Sequence, residues 1–163
     1  MKHTISILVE NHAGVLARVA GLFARRGFNI DSLAVGVTED EKISRITIIA
    51  DGTAYTLEQI EKQLNKLIDV IKVRHLPAEE LLSRELVLIK VACQPSQRAE
   101  LISLAEIAKA KISDITVNTM TLELSDSGPR IKTFEELLRP YGIKETVRTG
   151  SIAMQKGGAS MKL

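Results

Sequence analysis

The chain has no tryptophan, and three phenylalanines and two tyrosines bring its aromatic share to only 3% of 163 residues. Its cores must therefore be built from Ile, Leu, Val and Ala, which the 45% hydrophobic content supplies. The same scarcity argues against an RNA-binding sheet, which needs exposed aromatics on which bases can stack. A single cysteine excludes an internal disulfide; Cys93 shares an apolar alternation with Val87, Ile89 and Val91 and reads as a buried thiol. No charge sign dominates: 22 basic against 20 acidic residues leave a net +2, which argues against a polyanion-binding surface. No apolar run is long enough to cross a bilayer, and MKHTISILVENHAG is too short in its apolar part for a signal peptide. The expectation is a soluble protein of the bacterial cytoplasm, or of a plastid if organelle-encoded.

Recognisable catalytic signatures are missing too. There is no P-loop, dinucleotide fingerprint, CxxC or HExxH, and no nucleophile with a base beside it. His3, His12 and His75 lie far apart in the sequence and read as surface or edge residues. Hence neither a catalytic site nor a metal site is expected on this chain.

What is present is a regular alternation of strand and helix patterns. Residues 4–10 (TISILVE) are β-branched and apolar, a strand by composition. Residues 15–26 carry Val15, Val19, Leu22 and Phe23 at helical spacing, with Gly27 placed to cap the end. Strands follow at 29–37 and 43–51, then a helix at 56–67 announced by Thr56 with Gln59 three residues on, then a strand at 70–76. This strand–helix–strand–strand–helix–strand order implies a four-stranded antiparallel sheet with both helices on one face. The other face, lined by Ser32, Ala34 and Gly36 on the second strand, is expected to be bare and to drive dimerisation.

After a linker at 77–83 the order repeats with a different sequence: a strand to Cys93, a helix at 97–111, strands at 112–117 and 120–125, a helix carrying Ile131, Phe134 and Leu138, and a last strand at 143–153. The fold class is therefore α+β, two βαββαβ domains in tandem at 1–76 and 84–154. The polar, glycine-rich stretch 155–163 (QKGGASMKL) is expected to be a flexible tail.

One turn stands apart from this scaffold. Between the first strand and helix, Asn11 and Gly14 precede Val15 and Leu16, where helix amides lack intrahelical partners. Such amides and the helix dipole favour a carboxylate. Gly14 admits a close approach, and Asn11 offers both an amide oxygen for an ammonium and donors for a carboxylate. Asn29 offers the same groups where the second strand starts, and Val15, Leu16 and Ile30 would form an apolar wall. From the residues alone two readings stay open: a plain capped turn, or a site for a small zwitterion.

The segments ENHAGVLARVAGLFARRGFNIDSLAVG, SRITI and LEQIEKQLNKLIDVIKV resemble the N-terminal ACT domain of the regulatory (small) subunits of acetohydroxyacid synthase, also called acetolactate synthase. RELVLIKVAC, AEIAKAKISDITVNTMTLEL and LLRPYGIKETVRTG extend the resemblance over nearly the whole chain. It implies two ferredoxin-like domains, the first an ACT domain, and no active site or cofactor on this chain. It implies a catalytic (large) subunit as partner, carrying thiamine diphosphate, Mg and usually FAD. That subunit condenses two pyruvates to 2-acetolactate, and the small subunit raises its activity and confers feedback inhibition by branched-chain amino acids, valine above all. It also implies a homodimer through the ACT domains with the effector between them. Asn11, Gly14, Val15 and Leu16 would then come from one protomer, Asn29 and Ile30 from the other, with His12 at the rim. The alternatives are an activating module without effector binding, or an amino-acid sensor of another enzyme.

Overall fold

The computed structural model describes residues 1–162. It contains two compact units: Met1–Leu82 together with the described residues from Ser151 onward, and Ser83–Gly150.

In the first unit the elements are β1 (Lys2–Glu10), α1 (Val15–Arg25), β2 (Ile30–Val37), β3 (Ile43–Asp51), α2 (Ala54–Leu64) and β4 (Val70–Leu76). The strands pair antiparallel in the order β2-β3-β1-β4. Alternation along β1 and β3 sends Ile5, Ile7, Ile46 and Ile48 to one face, where they are buried with Val19 and Phe23 of α1 and Ile60 and Leu64 of α2. Helix α1 ends as its sequence implies. Gly27 takes φ +69°, its amide donates to Ala24 O and the Phe28 amide donates to Phe23 O, a glycine-terminated Schellman closure. Helix α2 starts earlier than expected. Thr53, in an extended conformation, is the N-cap and its hydroxyl accepts the Thr56 amide at 3.2 Å, so Thr56 lies inside the first turn.

The second unit repeats the pattern with β5 (Leu81–Ala92, its first two residues counted in the first unit), α3 (Arg98–Ala108), β6 (Lys111–Ile115), β7 (Thr119–Asp126), α4 (Gly128–Leu138) and β8 (Ile143–Arg148). Its strands run in the order β6-β7-β5-β8. Val87, Ile89, Val91 and the free thiol of Cys93 are buried with Met120, Leu122, Leu101, Phe134 and Leu138. The α+β class and the doubled βαββαβ order thus hold.

The end of the chain differs from its expectation. The strand expected over 143–153 breaks at Gly150, which has φ +81°, and β9 (Ile152–Gln155) belongs to the first unit. The described part of the stretch expected to be a flexible tail, 155–162, is tied down at several points. The Lys156 amide donates to Glu80 O at 2.8 Å, Arg74 to Ser160 O at 3.2 Å, and Lys72 Nζ to Lys162 O at 2.7 Å. Nor is the outer face of the first sheet bare. Ser6, Leu8 and Thr47 on it are buried. Arg45 bridges Ser6 Oγ and Ala153 O, both at 2.8 Å, and the Ser151 amide donates to Ser32 Oγ at 2.8 Å. The small side chain of Ser32 receives the chain's own returning segment there, while Gly36 on the same strand stays exposed with nothing near it, so the open part of this face is smaller than expected.

Candidate functional site

The turn between β1 and α1 is held from three sides. The Glu10 amide donates to Asp69 O at 2.9 Å, the Asn11 amide to Lys42 O at 2.8 Å, and Asn11 Nδ2 to Glu41 O at 2.7 Å. Gly14 is the N-cap of α1 with φ +87°, a left-handed conformation that suits glycine, and it offers no capping side chain. The first helical bond runs from the Arg18 amide to Gly14 O at 3.0 Å, and the Val15 amide reaches His12 O only at 3.5 Å. Among the described residues the amides of Gly14, Leu16 and Ala17 have no hydrogen-bond partner. Val15 is buried beneath this end, and Leu16 is exposed on it. Beside the turn lies an open depression of about 490 Å³ lined by Glu10, Asn11, His12, Asp40, Lys42, Ile43 and Ile71.

Asn11 Nδ2 is thus engaged by a backbone carbonyl, and among the described residues its amide oxygen has no partner. Asn29 is in the same state: its Nδ2 donates to Asp31 Oδ1 at 2.7 Å, and Asp31 Oδ2 pairs with Lys2 at 3.3 Å. Each asparagine keeps a free acceptor oxygen beside the remaining N–H of its amide. Ile30 is half-buried at the start of β2 and packs against the core.

Register separates these groups. Ile30 faces Ala50, which faces His3, whereas Glu10 faces Ile43 at the opposite end of the sheet. Asn11 and Asn29 are thus a strand length apart, roughly 26 Å at the usual rise per residue. One chain brings Asn11, Gly14, Val15 and Leu16 together and leaves Asn29 and Ile30 at the other end.

Two residues that sequence reasoning passed over stand at the turn. Asp69, directly before β4, is buried; its Oδ2 lies 2.7 Å from Arg18 Nε and its Oδ1 lies 3.1 Å from His12 Nε2. The Arg18 contact is an ion pair by distance, since buried Oδ2 accepts no aligned hydrogen bond. His12 Nε2 also meets Glu10 Oε2 at 3.1 Å. The Ala13 carbonyl and the Glu10 carboxylate, with Asp69 adding its charge, raise the His12 pKa above its ordinary value. Glu10, His12 and Asp69 hold ligand-type atoms within 4.8 Å of one another, but Arg18 already sits on Asp69, so the cluster reads as an ion-pair network. Arg18 could have been noticed as the residue one helical turn beyond Gly14, whereas Asp69 lies in the apolar run LIDVIKV and carries no such signal.

Residues 5–72 match the family described as the AHAS small subunit-like ACT domain, and residues 84–157 match the small subunit of acetolactate synthase. The chain belongs to the acetolactate synthase small-subunit family. A probable acetolactate synthase small subunit of Archaeoglobus fulgidus is 50% identical over 96% of this chain and 98% of that protein. The acetolactate synthase small subunit of Mycobacterium leprae is 44% identical over 95% of this chain and 92% of its own length. The crystal structure of the Thermotoga maritima small subunit superposes with a TM-score of 0.91 at 38% identity, covering 98% of this chain and 99% of that one. In this small-subunit family member the ACT match falls within the first unit. The second match runs beyond Gly150 into the returning segment.

Proposed function

We propose that this chain is the non-catalytic regulatory partner of the acetolactate synthase catalytic subunit. It raises that subunit's activity and makes it responsive to valine or a related branched-chain amino acid. The condensation of two pyruvates to 2-acetolactate and CO2, with thiamine diphosphate, Mg and FAD, is assigned to the partner, and no cofactor or metal is assigned here. The working compartment is the cytoplasm, or the plastid stroma, as the name of a chloroplastic Arabidopsis relative at 44% identity illustrates.

The observation that carries this reading is the complementary pair of half-sites. One end of the sheet carries the unpaired amides of Gly14 and Leu16 together with Asn11, and the other carries Asn29 and Ile30; among the described residues neither asparagine oxygen has a partner. An α-amino acid has a carboxylate for the amides, an ammonium for the asparagine oxygens, and an aliphatic side chain for Val15, Leu16 and Ile30. The two halves are too far apart within one chain, so the effector bridges two copies in an ACT homodimer. By stabilising one arrangement of that pair it changes what the catalytic subunit senses, with a coupling of about 1–3 kcal/mol as is usual for such linkage.

Gly14→Asp tests the assignment. It forces a non-glycine residue into a left-handed conformation at φ +87° and puts a like charge where the effector carboxylate would sit. In reconstituted holoenzyme the variant should lose valine inhibition and still stimulate the catalytic subunit. Full valine inhibition in the variant would overturn the site, and a wild-type chain that fails to stimulate the catalytic subunit would overturn the partnership.

A further inference from the structure

Arg18 is anchored at one edge and open at the other. Its Nε lies 2.7 Å from Asp69 Oδ2, and Asp69 is a buried carboxylate whose side chain is only 9% exposed. Its two terminal nitrogens, Nη2 and Nη1, stand 3.9 and 4.0 Å from the point where a Cβ on Gly14 would be. Among the described residues neither terminal nitrogen donates a hydrogen bond to any acceptor. The guanidinium therefore keeps its forked edge over the turn whose amides are also unpaired. The depression lined by Glu10, Asn11 and His12 adjoins the same turn.

We propose that Arg18 is an effector-binding residue whose terminal edge receives the α-carboxylate of the amino acid. Asp69 is the positioning residue that fixes the guanidinium at its Nε. The inference rests on the reading that the effector sits on the amides near Gly14. A planar fork matches a carboxylate in two parallel bonds, and holding it in advance leaves less side-chain freedom to lose on binding. Glu10 and Asp69 would repel an incoming carboxylate if left alone. Arg18 on Asp69 and His12 between the two acids offset that repulsion. The arrangement also explains why an acid at position 14 would be damaging: the new carboxylate would take Arg18 for itself.

Titration calorimetry on the full chain with L-valine and with L-valinamide, which lacks the carboxylate, tests this. Arg18→Leu should weaken valine binding about ten- to a hundredfold, the range of a charge-assisted hydrogen bond, and shift valinamide by less than about threefold. Arg18→Lys keeps the charge without the fork and should fall between. Asp69→Asn should weaken valine about three- to tenfold and spare valinamide, since a freed guanidinium must be re-ordered. Circular dichroism checks that each variant is folded; if Arg18→Leu is not, Arg18→Lys decides by the same two ligands. A merely structural role would weaken both ligands alike, and that result, or valine bound by Arg18→Leu as by wild type, overturns the inference. If Gly14→Asp loses valine while Arg18→Leu retains it, only the role of Arg18 falls. A wild-type chain that binds neither ligand overturns the effector site itself, and the role of Arg18 with it.

Discussion

Replacing Arg18 by leucine should cost more stability than replacing Asp69 by asparagine, although the arginine side chain is 51% exposed and the aspartate side chain 9%. Asp69→Asn keeps the volume of the side chain and removes its charge. The groups left behind, the Arg18 guanidinium and the His12 imidazole, are both about half in water and can be rehydrated, so the loss is that of a screened pair, about 1 kcal/mol. Arg18→Leu instead strands a buried carboxylate oxygen. Its desolvation is no longer offset, and a cost of about 2–3 kcal/mol follows, held at the low end of such cases because His12 remains near the other oxygen. Once the charge at position 69 is gone, leucine at 18 strands nothing, so the double variant should lose only about 1 kcal/mol. With two compact units in the chain, a single melting curve would mix their contributions. Native-state exchange of the hydrogen-bonded amides of Glu10, Asn11, Arg18 and Val70 reads the local effect, with about a tenfold change in opening for each 1.4 kcal/mol. Equal losses in the two single variants, or additive losses in the double one, would refute the stranded-carboxylate account.

The other predictions concern pH and the returning segment. His12 has a folded pKa raised above 6.5, so its contribution to holding the turn is fully present below the unfolded value and is lost as pH rises through the folded one. Protection of the hydrogen-bonded Glu10 and Asn11 amides, taken relative to the intrinsic exchange rate at each pH, should fall across that interval, and His12→Gln should flatten that profile; Glu10 and Asp69 face the imidazole and Arg18 faces Asp69. Arg45→Met should leave the fully buried Ser6 hydroxyl and the Ala153 carbonyl without their donor, at about 1–3 kcal/mol. Limited proteolysis should then cut the segment after Gly150 faster than in wild type, and unchanged cleavage would show that Arg45 does not pin it.

Periodicity made the scaffold legible. The spacing of Val15, Val19, Leu22 and Phe23 reflects burial against a single core, and the structure buries all four. The start of α2 was harder to read because Thr53 and Thr56 are both competent caps, and only the extended conformation of Thr53 decides between them. The end of the chain was not legible at all. Lys156, Ser160 and Lys162 are held through backbone groups, which every residue possesses, so QKGGASMKL shows no apolar rhythm to betray its docking. At the turn, Gly14 and Asn11 could be singled out by type. The engagement of Asn11 Nδ2 depends on a distant partner, Glu41 O, and the Arg18–Asp69 pair joins residues 51 positions apart.

The register that sets Asn11 and Asn29 at opposite ends of one sheet has a consequence for dose response. If two copies pair about a two-fold axis, each supplies the half the other lacks, and two equivalent sites form together. Amino-acid occupancy and pairing are then one linked equilibrium, in which the ligand strengthens the dimer and dilution of the subunit lowers apparent sensitivity. A cell could tune feedback through the abundance of this chain as well as through the concentration of the amino acid.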